Sequence, residues 1–246
     1  MIGVLIFPDF QLLDAAGPIS VFEIAARFAG QPPSIKVLAA TPGPVRSSSG
    51  VELLARGLKP IGAISTLIVA GGEGVDAAAT SDKTLRFVRA IAKRGVRVAS
   101  VCSGAYMLAE AGLLDGRRAT THWGRTRHFL SAHPRVKWEP DQIFVRDGNI
   151  WSSAGITAGI DLALAMAAED FGDEIAQKTA REQFDARRAA HRTRRRRQHL
   201  DRRWAACETA GDFEHRNRAG GVQQLEIGED EHADHDLTRR PKMREI

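Results

Sequence analysis

The stretch Val96-Arg97-Val98-Ala99-Ser100-Val101-Cys102-Ser103-Gly104-Ala105-Tyr106-Met107-Leu108-Ala109-Glu110 runs from a β-branched strand straight into a small-residue helix, with a cysteine at the junction. That is the layout of a nucleophile elbow, in which the chain leaves a strand, turns sharply at the nucleophile and enters a helix. Gly104 and Ala105 leave room for neighbouring backbone to approach closely. A sulfur over the free N–H groups of a helix N-terminus is expected to favour thiolate over thiol. The alternative is a buried, inert cysteine, because free cysteine is among the most buried residue types.

Outward from this stretch, β and α signals alternate through the first 180 residues. Ile2–Phe7 reads as an apolar strand rather than a signal peptide, having neither a basic leader nor a cleavage site. Leu13–Ala29 has helical spacing, with Gly17-Pro18 near its start. Ile35–Ala40 is a second strand, and Val45–Leu54, with Ser48-Ser49-Gly50 in its middle, reads as a hairpin. Thr66–Ala70 is a buried strand ending in Gly71-Gly72-Glu73-Gly74. Asp82 is placed to cap a helix over Lys83–Arg94, with Gly95 as its stop. Arg118–Thr121 is a short strand leading to His122-Trp123. Ile143–Arg146 and Ile150–Ser153 flank the hairpin turn Asp147-Gly148-Asn149. Ala158–Phe171 is a long small-residue helix, and another begins at Glu174–Arg181. This order predicts an α/β fold with a mostly parallel sheet covered on both faces. Ligands of such sheets sit at the carboxyl ends of the strands, where Gly71-Gly72 and Cys102 should meet.

Charge divides the chain. Residues 1–180 hold 19 Lys+Arg against 17 Asp+Glu, so the body is nearly neutral and composition gives no reason to assign it nucleic-acid binding. From about residue 182 the character changes, with an arginine run over Arg187–Arg203 and an acidic stretch over Glu226–Asp236. Only ten of these last residues are Leu, Ile, Val, Met, Phe or Trp, too few for a core of their own. The organisation expected is therefore a folded domain over 1–182 and a charged, low-complexity, disordered tail over 183–246. A basic arm with salt-sensitive affinity for phosphates is the other reading of the arginine run. No segment has the roughly 18–20 unbroken apolar residues of a membrane span. Two cysteines in unlike contexts, Cys102 and Cys207, make no disulfide framework, which fits a reducing cytoplasm.

Four pieces are candidates to converge on one pocket. Cys102 is the candidate nucleophile. Asp14, in Gln11-Leu12-Leu13-Asp14-Ala15-Ala16-Gly17-Pro18, would have its pKa raised by repulsion from a nearby thiolate and could then hold or pass a proton. A helix N-cap is the structural alternative for Asp14. Backbone N–H groups of Gly72 and Ser103, with Gly71 beside them, could receive a developing oxyanion. His122, directly after a strand, could orient a group or exchange protons, or be structural. No spacing of His, Cys and carboxylates suggests a metal, and Gly71–Gly74 matches neither a dinucleotide fingerprint nor a P-loop, so no cofactor is expected.

With these residues in hand, residues 1 to about 182 resemble the ThiJ/PfpI family of the class I glutamine amidotransferase-like superfamily. The resemblance rests on Gln11–Pro18, Ala70–Gly74, Val101–Gly104, Gly112–Trp123 and Gly155–Asp161, taken in order. It implies a flavodoxin-like three-layer sandwich, an elbow cysteine in strained backbone geometry and a homodimer. Two branches fit. Phe144–Gly155 and Glu169-Asp170 are similar to the small-molecule-sensing domain at the N-terminus of AraC-type transcription regulators. Asp14, Cys102 and the hydroxyl of Ser103 are shared with the isonitrile hydratase branch. There the implied chemistry is that of a cysteine-dependent hydro-lyase: Cys102 attacks the isocyanide carbon, Asp14 positions water and shuttles protons, and an N-substituted formamide leaves. An amidase-like activity belongs to the same alternative.

The departure from the regulator pattern lies in the last 65 residues. Such regulators continue into a pair of helix-turn-helix motifs needing about 100 residues with amphipathic helices, and residues 182–246 do not read as one. Arginine-rich, lysine-poor text starting where the resemblance ends looks like a shifted reading frame in a GC-rich gene. An intact helix-turn-helix in another frame of the locus would establish this, and its absence from every frame would reject it. The leading expectation is a ligand-sensing domain without its DNA-binding module.

Overall fold

The computed structural model describes residues 1–58 and 63–184. The charged tail expected over 183–246 lies, but for its first two residues, outside the described residues. Strands β1 (Ile2–Leu5), β2 (Ile35–Ala39), β3 (Gly43–Arg46), β4 (Glu52–Gly57), β5 (Thr66–Val69), β6 (Arg97–Val101), β9 (Phe144–Asp147) and β10 (Ile150–Ser153) form one eight-stranded sheet in the order β3-β4-β2-β1-β5-β6-β10-β9. Every pairing from β4 through β10 is parallel, and only the hairpin partners β3 and β9 at the two edges run antiparallel. A small second sheet pairs β7 (Arg118–Ala119) with β8 (Lys137–Trp138).

The central strands carry the signature of burial on both faces: all residues of β1, β5 and β10 are buried, and all but the first of β6. Helices complete the layers. α1 (Leu12–Phe28), α6 (Ala158–Phe171) and α7 (Asp173–Phe184) pack on one another; α2 (Val75–Ala79), α3 (Asp82–Ala92) and α4 (Ala105–Glu110) form a second group. α5 (Thr126–Ala132) follows a 3-10 turn at Trp123–Arg125. This is the flavodoxin-like sandwich expected, with one hydrophobic core running from Val4 and Leu5 through Leu67, Ile68 and Val98 to Leu162 and Met166.

Local chemistry accounts for most boundaries. Gly95 (φ +72°) ends the α3 turn and Gly148 (φ +64°) makes the β9–β10 turn, backbone shapes that suit glycine. Two details differ from expectation, and a third refines it. Ser81, not Asp82, caps α3, its hydroxyl accepting the Thr84 N–H. The strand expected over Arg118–Thr121 stops at Ala119 and joins β8 rather than the main sheet. Gly17 and Pro18 lie inside α1 and are buried. A Cβ at Gly17 would stand 2.9 Å from Ile160, so glycine lets α1 and α6 approach closely.

β1 leads through α1 to β2 on one side, whereas β5 and β6 lie on the other. The direction of winding therefore reverses between β1 and β5, which are adjacent. Such a switch point leaves a crevice at the carboxyl ends of the strands. The three segments leaving β1, β5 and β6 there carry Asp14, Gly71-Gly72 and Cys102.

Candidate functional site

Cys102 directly follows β6 and opens a 3-10 turn, Cys102–Gly104, that leads into α4. Its φ is +56°, a left-handed conformation that a residue with a Cβ adopts only when its surroundings hold it there. The surroundings are close. A Cβ at Gly104 would stand 2.5 Å from the Val69 carbonyl oxygen, and one at Gly71 would stand 2.7 Å from both Asp14 Oδ2 and Ser103 N. The Thr121 hydroxyl, buried, donates to the Cys102 carbonyl at 3.0 Å. On the sheet side, a Cβ at Gly159 of α6 would fall 2.5 Å from Val101 Cγ1. The elbow is thus clamped by three glycines and a threonine hydroxyl.

Asp14 sits in the first turn of α1 with 0% exposure. It is not the helix cap, because Gln11 takes that role by accepting the Leu13 N–H. The Asp14 Oδ2 accepts the Gly71 N–H at 3.0 Å, and its carboxyl interacts with the Cys102 thiol. Burial pushes the Asp14 pKa up to about 7, against the lowering effect of the Gly71 N–H and the Cys102 thiol. The direction is the one expected, but desolvation rather than a thiolate neighbour produces it.

Cys102 is 8% exposed. Burial first, then the Asp14 charge, pushes its thiol up to about 12, while the Ser103 N–H and hydroxyl oppose this. The expected thiolate at a helix N-terminus is therefore corrected. One backbone N–H in a three-residue 3-10 turn does not offset desolvation beside a carboxylate, and the resting species is the thiol.

Ser103 Oγ accepts the Gly72 N–H at 2.9 Å and donates to the Gly72 carbonyl at 3.1 Å. Gly72 has φ +141°, and any Cβ there would collide with Asp9 O and Gln11 N at 2.5 Å. The N–H groups of Gly71 and Gly72 are thus both engaged, one by Asp14 and one by Ser103. The Ser103 N–H faces the Cys102 sulfur. In this arrangement two of the amides singled out for an oxyanion, those of Gly71 and Gly72, serve the carboxylate and the hydroxyl.

His122 stands slightly apart. It caps the Trp123–Arg125 turn, its Nδ1 accepting the Gly124 N–H at 3.2 Å. Its ring lies against Gly155, where a Cβ would be 3.0 Å from Cδ2. No hydrogen bond joins His122 to Cys102 or Asp14 among the described residues; its neighbour Thr121 makes the contact to Cys102 instead. Thr121 and Gly159 fall within the stretches that carry the resemblance, but nothing in the sequence assigns either a role of its own. The first is one of two adjacent threonines, and the second one of many small residues in α6. Among the described residues no group of three or more His, Cys, Asp and Glu is placed to hold a metal, and no helix is long and apolar enough to cross a membrane.

A parallel sheet with a strained cysteine after a central strand, facing a buried carboxyl from the first loop, defines a flavodoxin-like protein of the nucleophile-elbow type. Residues 1–169 match the model of the DJ-1/PfpI family, and the chain belongs to that family. Among its relatives, an isonitrile hydratase of Pseudomonas putida is 38% identical over 181 residues, covering 72% of this chain and 74% of that enzyme. The HTH-type transcriptional regulator CdhR of Pseudomonas aeruginosa is 34% identical over 182 residues, covering 73% of this chain and 53% of the regulator. The chain thus spans about half of that regulator's length. A crystal structure of an AraC family transcriptional regulator from Pseudomonas putida superposes with a TM-score of 0.66 at 21% identity, covering 73% of this chain and 96% of that one.

Proposed function

We propose that residues 1–182 are a small-molecule-sensing, amidotransferase-like domain of the kind that heads AraC-type regulators, with Cys102, Asp14, Ser103 and the Gly71-Gly72 loop as its ligand site. The observation that carries this reading is that the glycine amides beside the elbow are already bonded to Asp14 and Ser103. A cysteine held as a buried thiol, without unengaged glycine donors, suits recognition better than turnover. The similarity to CdhR supports the same reading. His122 serves as a positioning residue for the Thr121 segment. A homodimer fits the exposed apolar side chains Leu13, Phe28, Val51 and Leu54, and the cytoplasm fits two cysteines in unlike sequence contexts. The domain ends near residue 182, and the charged stretch beyond it contributes at most a salt-sensitive affinity for DNA.

One observation favours the enzymatic alternative. Asp14, with a pKa pushed up to about 7, interacts electrostatically with the Cys102 thiol, which couples a proton carrier to a nucleophile. In that reading Asp14 takes the thiol proton as sulfur attacks an isocyanide carbon and returns it to that carbon. Water then releases the cysteine and an N-substituted formamide.

A thermal-shift screen of the full chain against nitrogen-containing metabolites, with Cys102→Ala in parallel, tests the sensor. The expected result is a ligand that raises Tm in both proteins by mass action. Formation of cyclohexylformamide from cyclohexyl isocyanide, lost in Cys102→Ala, would replace the sensor by the enzyme.

A further inference from the structure

At the opposite, amino end of the sheet, a cavity of about 330 Å³ opens between the C-terminal ends of α3 and α4, Arg117 and the start of β10. Arg89, Lys93 and Arg117 line it, and no Asp or Glu does. Arg89 is fixed by two carbonyls of the α4 terminus, its Nε donating to Ala111 O at 3.1 Å and one Nη to Glu110 O at 2.8 Å. Its other Nη has no acceptor among the described residues. Arg117 Nη1 donates to the Asp147 carbonyl at 3.1 Å and carboxylate at 3.3 Å, leaving its second Nη and Nε uncommitted among the described residues. Asp147 also accepts the Arg118 N–H and lies outside the cavity lining. Lys93 forms no ion pair among the described residues.

A second observation concerns field rather than contact. The segment Asp82–Arg94 carries Lys83, Arg86, Arg89, Lys93 and Arg94 against a single acid, in a body otherwise close to neutral. Lys83 and Arg86 belong to the first half of α3, Lys83 donating to the Ala40 carbonyl, whereas Arg89, Lys93 and Arg94 gather at the end that forms one wall of the cavity. The C-termini of α3 and α4 offset part of that charge, and the remainder raises the local concentration of anions.

We propose that this cavity is an anion site that takes a phosphate group, held by Lys93 and by the uncommitted edges of the Arg89 and Arg117 guanidinium groups. Phosphate matches the donor set better than a carboxylate does. It offers oxygens to two planar forks and an ammonium at once and carries the charge to balance them. The same group comes from a small phosphorylated metabolite or from a nucleic-acid backbone. The proposal does not depend on the role of Cys102.

Hydrogen exchange of the full chain, followed over residues 86–96 and 108–118, tests it with inorganic pyrophosphate, a short DNA duplex, and sulfate at matched ionic strength. Pyrophosphate is expected to slow exchange in both segments. Lys93→Glu and Arg117→Gln each weaken its binding by about tenfold or more, as the loss of one charge-assisted contact implies. Lys93 is exposed, so Lys93→Ala serves as a second variant that keeps the fold. Protection by the duplex, competed by pyrophosphate, assigns the phosphate to a nucleic-acid backbone; protection by pyrophosphate alone assigns it to a small ligand. No protection by either, equal protection by sulfate, or unchanged binding by Lys93→Glu overturns the site and points to contacts elsewhere, such as the arginine run.

Discussion

Ser103 and Gly72 are joined twice: the serine hydroxyl takes the glycine N–H at 2.9 Å and gives its own proton to the glycine carbonyl at 3.1 Å. This pair ties the segment after β5 to the turn after β6 and gives a partner to both backbone polar groups of the half-buried Gly72. Asp14 ties the same segment to α1 through the preceding amide. The three bonds together fix the bend in which Cys102 sits.

Replacing Ser103 by alanine is expected to destabilise the protein by about 1–2 kcal/mol, because the half-buried Gly72 N–H loses its acceptor, while the Gly72 carbonyl keeps the Val75 N–H. Urea unfolding of Ser103→Ala measures this. A change below about 0.5 kcal/mol would mean that solvent replaces the hydroxyl without cost.

The Cys102 thiol, pushed up to about 12, is expected to react with iodoacetamide at pH 8 about three orders of magnitude more slowly than an ordinary free cysteine, judged by thiolate fraction. Peptide-resolved mass spectrometry separates Cys102 from Cys207. In Asp14→Asn the like charge is gone and the rate should rise. Alkylation of wild-type Cys102 as fast as glutathione would contradict the protonated resting state.

Asp14 also predicts a pH dependence of stability. Its folded pKa of about 7 lies above the ordinary carboxyl value, so the native state binds the proton more tightly than the unfolded chain. Its stabilising contribution is complete below about pH 4, falls as pH rises, and is lost by about pH 7, a change of a few kcal/mol. Wild type minus Asp14→Asn, measured by urea unfolding at pH 4.5 and 7.5, should therefore become more unfavourable to wild type at the higher pH. A difference independent of pH would show that Asp14 is ionised throughout.

The φ of +56° at Cys102 inverts the usual ranking of glycine and alanine. Cys102→Gly is expected to be more stable than Cys102→Ala by about 1 kcal/mol, since glycine alone enters this region without a Cβ penalty. Thermal unfolding of the two variants side by side decides it.

Gly159→Ala drives a methyl to within 2.5 Å of Val101 Cγ1 and should cost about 1–3 kcal/mol. Val101→Ala removes the obstructing methyl groups, so the double variant should recover part of that loss, a coupling readable in a double-mutant cycle. Strict additivity would mean that α6 shifts away instead.

Much of the fold is legible in the sequence. The β-branched run into Cys102, the apolar Ile2–Phe7 and Thr66–Ala70 strands and the Asp147-Gly148-Asn149 turn are local patterns, and each forms the element expected. Asp14, Gly71, Gly72, Ser103 and Cys102 stand out in the sequence, and the fold brings them together. What could not be read is how they bond, because that depends on atoms brought together across 31 to 57 residues of chain. The thiolate expectation failed for the same reason. A helix N-terminus is visible in sequence, whereas the depth at which Cys102 and Asp14 are buried is not. Thr121 escaped notice because its role arises only where the segment after β7 passes under the elbow.

The sequence separation of Asp14, Gly71 and Cys102 has a kinetic side. Parallel pairing through long crossovers is slow to form, and the pocket exists only once β1, β5 and β6 lie side by side. Shielding of the single sulfur at residue 102 should accordingly mark the end of refolding, so a pulse of thiol-labelling reagent at successive times would clock the assembly of the sheet from one atom.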